Sequence, residues 1–193
     1  PLTPGTTRIY EGQTEEGTEV IEVHVTDDIR EILGVPCLVV RDTVTVDDEL
    51  VEDTYDYFAQ DKEGNVWYFG ENSYTYEDGK IVSVDGSWIA GVDGAKPGIV
   101  MEAHPEVSDV YRQEFAPGEA EDLGEVLSLN ESVTVPYGSF GSCLMTKDFS
   151  PIEPDVEEHK YYAPGVGVVL ELNVETGERV ELVDVITASE PEE

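Results

Sequence analysis

The sequence predicts an all-β fold: two diverged antiparallel β-meander repeats that close on each other as a barrel or as flattened half-barrels, with little helix. Three observations predict it. The first is an internal repeat. Cys37-Leu38-Val39-Val40-Arg41-Asp42 recurs as Cys143-Leu144-Met145-Thr146-Lys147-Asp148, a shift of 106 positions. Val51-Glu52-Asp53 then matches Val156-Glu157-Glu158, Tyr57-Phe58-Ala59 matches Tyr161-Tyr162-Ala163, and upstream Glu19-Val20-Ile21 matches Glu125-Val126-Leu127. The second is alternation with a period of two, the mark of a strand with one wet and one buried face. The third is composition: ten Tyr, five Phe and two Trp stand among many Val and Thr, residues that suit a pleated, half-buried surface.

The first copy opens with a strand over Thr6–Glu11 and a polar turn over Gly12–Gly17. Thr18–Thr26 alternates strictly, with Val20, Glu22, His24 and Thr26 on one face and Glu19, Ile21, Val23 and Val25 on the other. Asp27–Leu33 reads either as one helical turn capped by Asp27 and ended by Gly34 or as a bent strand. Strands follow over Pro36–Val46 and Leu50–Gln60. A hairpin turn at Asp61-Lys62-Glu63-Gly64-Asn65 leads into Val66–Tyr76, and the turn Glu77-Asp78-Gly79 into Lys80–Val84. Asp85–Pro105, rich in Gly and Pro, is the long stretch without a strand period; Trp88, Ile89, Ile99, Val100 and Met101 mark it as packed. The second copy runs through Val110–Phe115, Glu125–Leu129, Ser132–Pro136, Cys143–Phe149, Val156–Ala163, Gly167–Val174 and Arg179–Ile186. The expected organisation is one structural domain: repeat 1–84, inter-repeat loop 85–106, repeat 107–187 and an acidic tail 188–193 that reads as disordered. Meanders closed on each other also remove exposed strand edges.

Charge restricts the partners. There are 44 acidic against 10 basic residues, a formal net charge of −34. The acids are interleaved with apolar residues along the chain, so they cover the faces of a folded domain. Such a surface repels nucleic acid and anionic membrane, because neutralising phosphates needs Lys and Arg. Two readings of the acidity remain open: solubility in a high-salt environment, where charges are screened within about 3 Å at 1 M salt, or collection of a cation, chiefly Ca²⁺, which takes hard oxygen ligands.

Cys37 and Cys143 occupy equivalent places in the copies. Across a pseudo-twofold axis they meet as a disulfide; otherwise they are two buried thiols. His104 follows Glu102 at the end of the inter-repeat loop, and His159 lies in the second copy where the first has Thr54. Together with Glu102, and with Glu157 as a further candidate, they would offer N and O ligands to Zn or Cu; separate structural roles are the alternative. Asp47, Asp48, Glu49, Glu52, Asp53 and Asp56 form an acidic cluster, either a loose Ca site or a solvated strand edge. Ser139 and Ser142 lack the spacing and the strand-to-helix turn of a nucleophile elbow, and there is no P-loop, GxGxxG or CxxC. The aromatic residues Tyr57, Trp67 and Trp88, with Arg112 and Tyr161, would line a ligand cavity if the meanders stay open, and would otherwise fill the core.

Three stretches carry a family resemblance: Thr54–Glu71, His104-Pro105 with Tyr111-Arg112-Gln113-Glu114, and His159-Lys160-Tyr161-Tyr162-Ala163-Pro164-Gly165-Val166-Gly167. They resemble a family of uncharacterised bacterial exported proteins with an HKYYAPGVG-type motif and, more distantly, periplasmic lipoprotein-like half-barrels that carry apolar ligands. The resemblance implies an all-β fold and export, and assigns no catalytic residue. A start at Pro1 without an initiator Met suits the same expectation of a mature periplasmic, cell-surface or secreted protein. The expected function is an exported acidic β-barrel-like binding protein for a small molecule or cation. A metal-dependent enzyme using His104 and His159 and a self-associating surface or filament subunit are the alternatives.

Overall fold

The computed structural model describes residues 1–187, so the expected acidic tail at 188–193 lies outside the described residues. No helix occurs among them. The strands are β1 (Thr7–Gln13), β2 (Thr18–Ile32), β3 (Val35–Val46), β4 (Glu49–Gln60), β5 (Val66–Glu77), β6 (Lys80–Ser83), β7 (Trp88–Ile89), β8 (Lys96–Met101), β9 (Val110–Arg112), β10 (Glu114–Phe115), β11 (Leu123–Val135), β12 (Gly138–Ser150), β13 (Glu153–Ala163), β14 (Gly167–Asn173) and β15 (Arg179–Ile186).

All pairings are antiparallel and belong to one 15-stranded sheet, ordered β10-β8-β5-β4-β3-β2-β1-β15-β14-β13-β12-β11-β9, with β6 and β7 pairing β5 off this path. The sheet is not closed into a barrel by hydrogen bonds; it is a flattened half-barrel. Its two terminal strands, β10 and β9, are nevertheless consecutive in the chain and separated only by Gln113. The sheet must therefore curl until its ends lie side by side. At this seam Gly98 lies against the Gln113 backbone, so closely that a Cβ there would sit 2.2 Å from the Gln113 carbonyl oxygen. Only glycine fits such an approach.

The repeat survives as topology. β2–β5 and β11–β14 are matching meanders, and β1, paired to both β2 and β15, joins them. Register corrects the sequence matches in two places. Asp42 pairs with Val23 and its equivalent Asp148 with Gly124, so Val126 corresponds to Val25 and not to Val20. Thr54 pairs with Asp42 and Glu158 with Asp148, so Glu158 corresponds to Thr54 and not to Asp53, and His159 to Tyr55 and not to Thr54. Asp27–Leu33 is no helical turn: β2 continues to Ile32 across a bulge between Val25 and Ile29, which bends the strand. The inter-repeat segment contains strands β7 and β8, contrary to the expectation of a strand-free loop. Glu125–Leu129 and Ser132–Pro136 merge into the single bulged strand β11.

Apolar packing lies on both faces of the curled sheet. In the first half Cys37, Val39, Tyr57 and Phe69 pack with Trp88, Ala90 and Ala95 from the inter-repeat segment. In the second half Val133, Val135, Cys143, Val169 and Leu182 form a separate cluster with Tyr10. Cys37 and Cys143 are thus buried free thiols in different clusters, and the expected disulfide is not formed. The topology explains why. The halves join side by side through β1 and β15, leaving the equivalent β3 and β12 apart in the sheet order.

Candidate functional site

Because side chains alternate along each strand, one set of residues faces the space enclosed by the curl. That space is a cavity of about 1030 Å³ lined from nearly every long strand, at the upper end of the range for small-molecule sites. Cross-strand registers order the residues on and behind its wall into rungs. In the first half the outermost is Ile29·Leu38·Phe58·Tyr68 and the next inward is Val25·Val40·Asp56·Glu71. Then comes Val23·Asp42·Thr54·Ser73. The second half repeats them as Leu144·Tyr162·Val168, Val126·Thr146·Lys160·Glu171 and Gly124·Asp148·Glu158·Asn173. The lumen is therefore apolar near the β2–β3, β4–β5 and β13–β14 turns and polar further in.

The polar zone is strongly acidic. Asp42, Asp56, Glu114, Asp122, Asp148, Glu153, Glu158 and Glu171 line the cavity against two basic residues, Arg8 and Lys160. Arg8 is committed to backbone, donating from Nε to the Val166 carbonyl at 2.8 Å and from a terminal nitrogen to the Pro1 carbonyl at 2.6 Å. Lys160 serves the second half: its Nζ lies 3.6 Å from Asp148 and 3.8 Å from Glu171. The Glu171 carboxylate, more than any other group, holds the Lys160 pKa well above its ordinary value. Asp148 is further satisfied by Thr146 Oγ1 at 2.7 Å and Gln113 Nε2 at 3.2 Å.

The first half has no such cation. Among the described residues no ion pair reaches Asp42, Asp56, Glu71 or Glu114. Tyr68 donates its hydroxyl to Asp56 at 2.5 Å, while Asp42 Oδ1 is buried with no hydrogen-bond partner. Desolvation, then repulsion from neighbouring acids, pushes Asp42 and Glu114 up to about 8 and Glu71 to about 9, while Asp56 is pushed to about 6 by desolvation against the lowering Tyr68 hydrogen bond. Near neutrality several of them hold protons, since burial penalises the charged form.

The residues singled out in the sequence lie elsewhere. Tyr57, Trp67, Trp88, Arg112 and Tyr161 are absent from the cavity wall. Tyr57 is buried in the first cluster with Arg30 stacked 4.4 Å over its ring. Trp67 donates its indole N–H to Asp61 Oδ2 at 2.8 Å, and with the Gly64 and Asn65 amides it ties the expected β4–β5 hairpin turn. Trp88 packs edge-on against Tyr68 at 5.4 Å, Tyr161 packs on the second cluster, and Arg112 lies 4.6 Å from the Phe115 ring. Tyr57, Trp67, Arg112 and Tyr161 each sit one residue away from a wall residue, Phe58, Tyr68, Gln113 and Lys160 respectively, whereas Trp88 has no wall residue beside it.

Among the described residues no group of three or more His, Cys, Asp or Glu is arranged to hold a metal ion. Glu102, His104 and His159 are thus not brought together as one. His104 is exposed. His159 pairs with Glu157 at 3.4 Å on the opposite face from Lys160, and Glu157 also pairs with Lys147 at 2.8 Å. In the acidic cluster of the first copy, Asp47 accepts the Thr18 amide at 2.9 Å and Asp53 pairs with Arg41 at 2.8 Å, whereas Asp56 turns into the lumen.

No protein-family model matches the chain, and no curated protein matches it. Among solved structures it is similar to the crystal structure of a putative lipoprotein from Parabacteroides distasonis ATCC 8503, with 17% identity and a TM-score of 0.44, covering 96% of this chain and 97% of that one.

Proposed function

We propose that the protein is a non-catalytic binding protein that holds a small organic molecule in the lumen of its curled sheet. The observation that carries this reading is the cavity of about 1030 Å³, apolar at one end and lined further in by fixed polar groups. Apolar wall with a few placed polar side chains is the usual build of a small-molecule site. Nothing in the arrangement favours a metal-dependent enzyme, since His104 is exposed and His159 faces away from the lumen. Export, expected from the motif resemblance, belongs to the same proposal.

The test is saturable binding of a neutral apolar fluorophore, N-phenyl-1-naphthylamine, to the protein and to Leu38→Trp and Val40→Trp, which fill the lumen from β3. One site per chain, lost in both folded variants, is the expected result. Absence of binding, or equal binding in the filled variants, would refute the reading.

A further inference from the structure

We infer that a second, smaller pocket beside the lumen binds the carboxylate of a small apolar acid, with the Arg8 guanidinium as its anchor. The site is separate from the lumen and stands or falls independently of the binding reading above.

Strand alternation places the anchor. In β1 the buried Arg8 and Tyr10 alternate with the more accessible Thr7 and Ile9. Arg8 lies opposite Val23 of β2, on the lumen wall, and opposite Val185 of β15, on the wall of the smaller pocket. That pocket has a volume of about 270 Å³. Pro1, Arg8 and Gly165 line both spaces and so stand between them.

Its charge sets this residue apart. Arg41, Arg112 and Arg179 have side chains 45, 42 and 45% exposed, and each pairs with an acid. Arg8 is only 7% exposed, yet among the described residues no carboxylate pairs with it, in a chain with 44 acids. Arginine is rarely so buried without an ionic partner, because a desolvated charge is costly when no counter-ion meets it. The backbone carbonyls of Val166, at 2.8 Å, and Pro1, at 2.6 Å, accept one N–H from Nε and one from a terminal nitrogen. They fix the plane of the guanidinium and leave its charge unneutralised. Three of its five N–H groups remain, enough for the two parallel bonds that a carboxylate accepts from arginine.

The rest of the lining suits the same guest. No acid lines this pocket, whereas eight line the lumen, so an anion is repelled from the larger space and not from the smaller. Thr3, Thr6 and Thr187 bring hydroxyl groups, which can donate to a carboxylate oxygen. Pro4, Val166, Val185 and Tyr137 add apolar wall, which a bare inorganic anion would leave uncovered. A volume of about 270 Å³ lies just below the range of drug-sized sites, so the apolar body is small, of the order of a single ring.

The experiment is NMR titration of the full ¹⁵N-labelled chain at pH 7, in about 0.15 M NaCl to screen its net charge, with benzoate, its neutral counterpart benzamide, and inorganic phosphate. The proteins are the wild type, Arg8→Lys and Val185→Phe. Expected are saturable benzoate shifts at the Thr6, Arg8 and Val166 amides, with an affinity at least about tenfold above that for benzamide or phosphate, as for a bidentate charged hydrogen bond. Arg8→Lys keeps the charge and loses the planar fork, so benzoate should weaken about tenfold. Val185→Phe fills the pocket from β15 and should abolish benzoate binding while N-phenyl-1-naphthylamine still enters the lumen. Should Arg8→Lys misfold, Val185→Phe decides. Benzamide or phosphate binding as tightly as benzoate, benzoate indifferent to both substitutions, shifts confined to lumen residues such as Leu38 and Phe58, or no saturable shift at all would each overturn the inference. None of these results bears on N-phenyl-1-naphthylamine in the lumen, so the two readings fail separately.

Discussion

Removing the ammonium of Lys160 probes the electrostatics of the lumen directly. Lys160→Met keeps the apolar stem and leaves Asp148 and Glu171 without the cation at 3.6 and 3.8 Å. Breaking a fully buried pair by removing one partner costs about 3–5 kcal/mol, and a surface pair is worth about 0–1 kcal/mol. The Lys160 side chain keeps 27% of its exposure, because it faces a water-accessible cavity, while Asp148 keeps 11%. The cost is accordingly about 2 kcal/mol at pH 8, a fall in Tm of about 4–8 °C for a chain of this size. Urea unfolding of both proteins at pH 8 checks it. A difference of less than about 0.5 kcal/mol would mean that Lys160 does not neutralise the second half of the lumen.

Four further outcomes follow from the same structure. Asp42, Glu71 and Glu114 have folded pKa values raised to about 8, 9 and 8. Their stabilising protonation is complete below about pH 4 and lost as pH rises through 8–9, so the urea midpoint measured in 1 M NaCl should decline from pH 5 to 9; a rise would contradict the burial of these carboxyls. At pH 7 the melting temperature should climb from 50 mM to 1 M NaCl, because the net charge of −34 destabilises the compact state through self-repulsion; indifference to salt would show that the repulsion is negligible. Gly98→Ala places a Cβ against the Gln113 carbonyl and should cost about 1–3 kcal/mol, with faster amide exchange in 96–101 and 110–115, whereas an unchanged exchange pattern would deny the seam. Cys37 and Cys143 should resist a thiol reagent in the native protein and react at both positions in urea without reductant; no reaction in urea would indicate a disulfide.

The β architecture was legible because strand signals are local. The Cys37–Asp42 and Cys143–Asp148 segments became equivalent strands, and the alternation of Thr18–Thr26 put Ile21 and Val23 on the lumen side. The bend after Thr26 and the strands of the inter-repeat segment were harder to read, since a bulge and a two-residue bridge such as Trp88–Ile89 leave no period. The cavity wall was hard to read for a different reason. Both faces of β4 are covered, so Tyr55 and Tyr57 alternate with Asp56 and Phe58 without revealing which pair is inside. With 44 acids in the chain, four half-buried ones do not stand out. One signal did exist. Asp42 and Asp148 match in the repeat while Asp56 opposes Lys160, a reversal of charge against an otherwise similar background.

A crystal structure of the protein grown with N-phenyl-1-naphthylamine tests the binding reading most directly. Density for the probe inside the curled sheet, against Leu38 and Phe58 on the apolar rung, is the predicted result. A lumen holding only ordered water, with the probe on the outer surface or absent at saturating concentration, would contradict it.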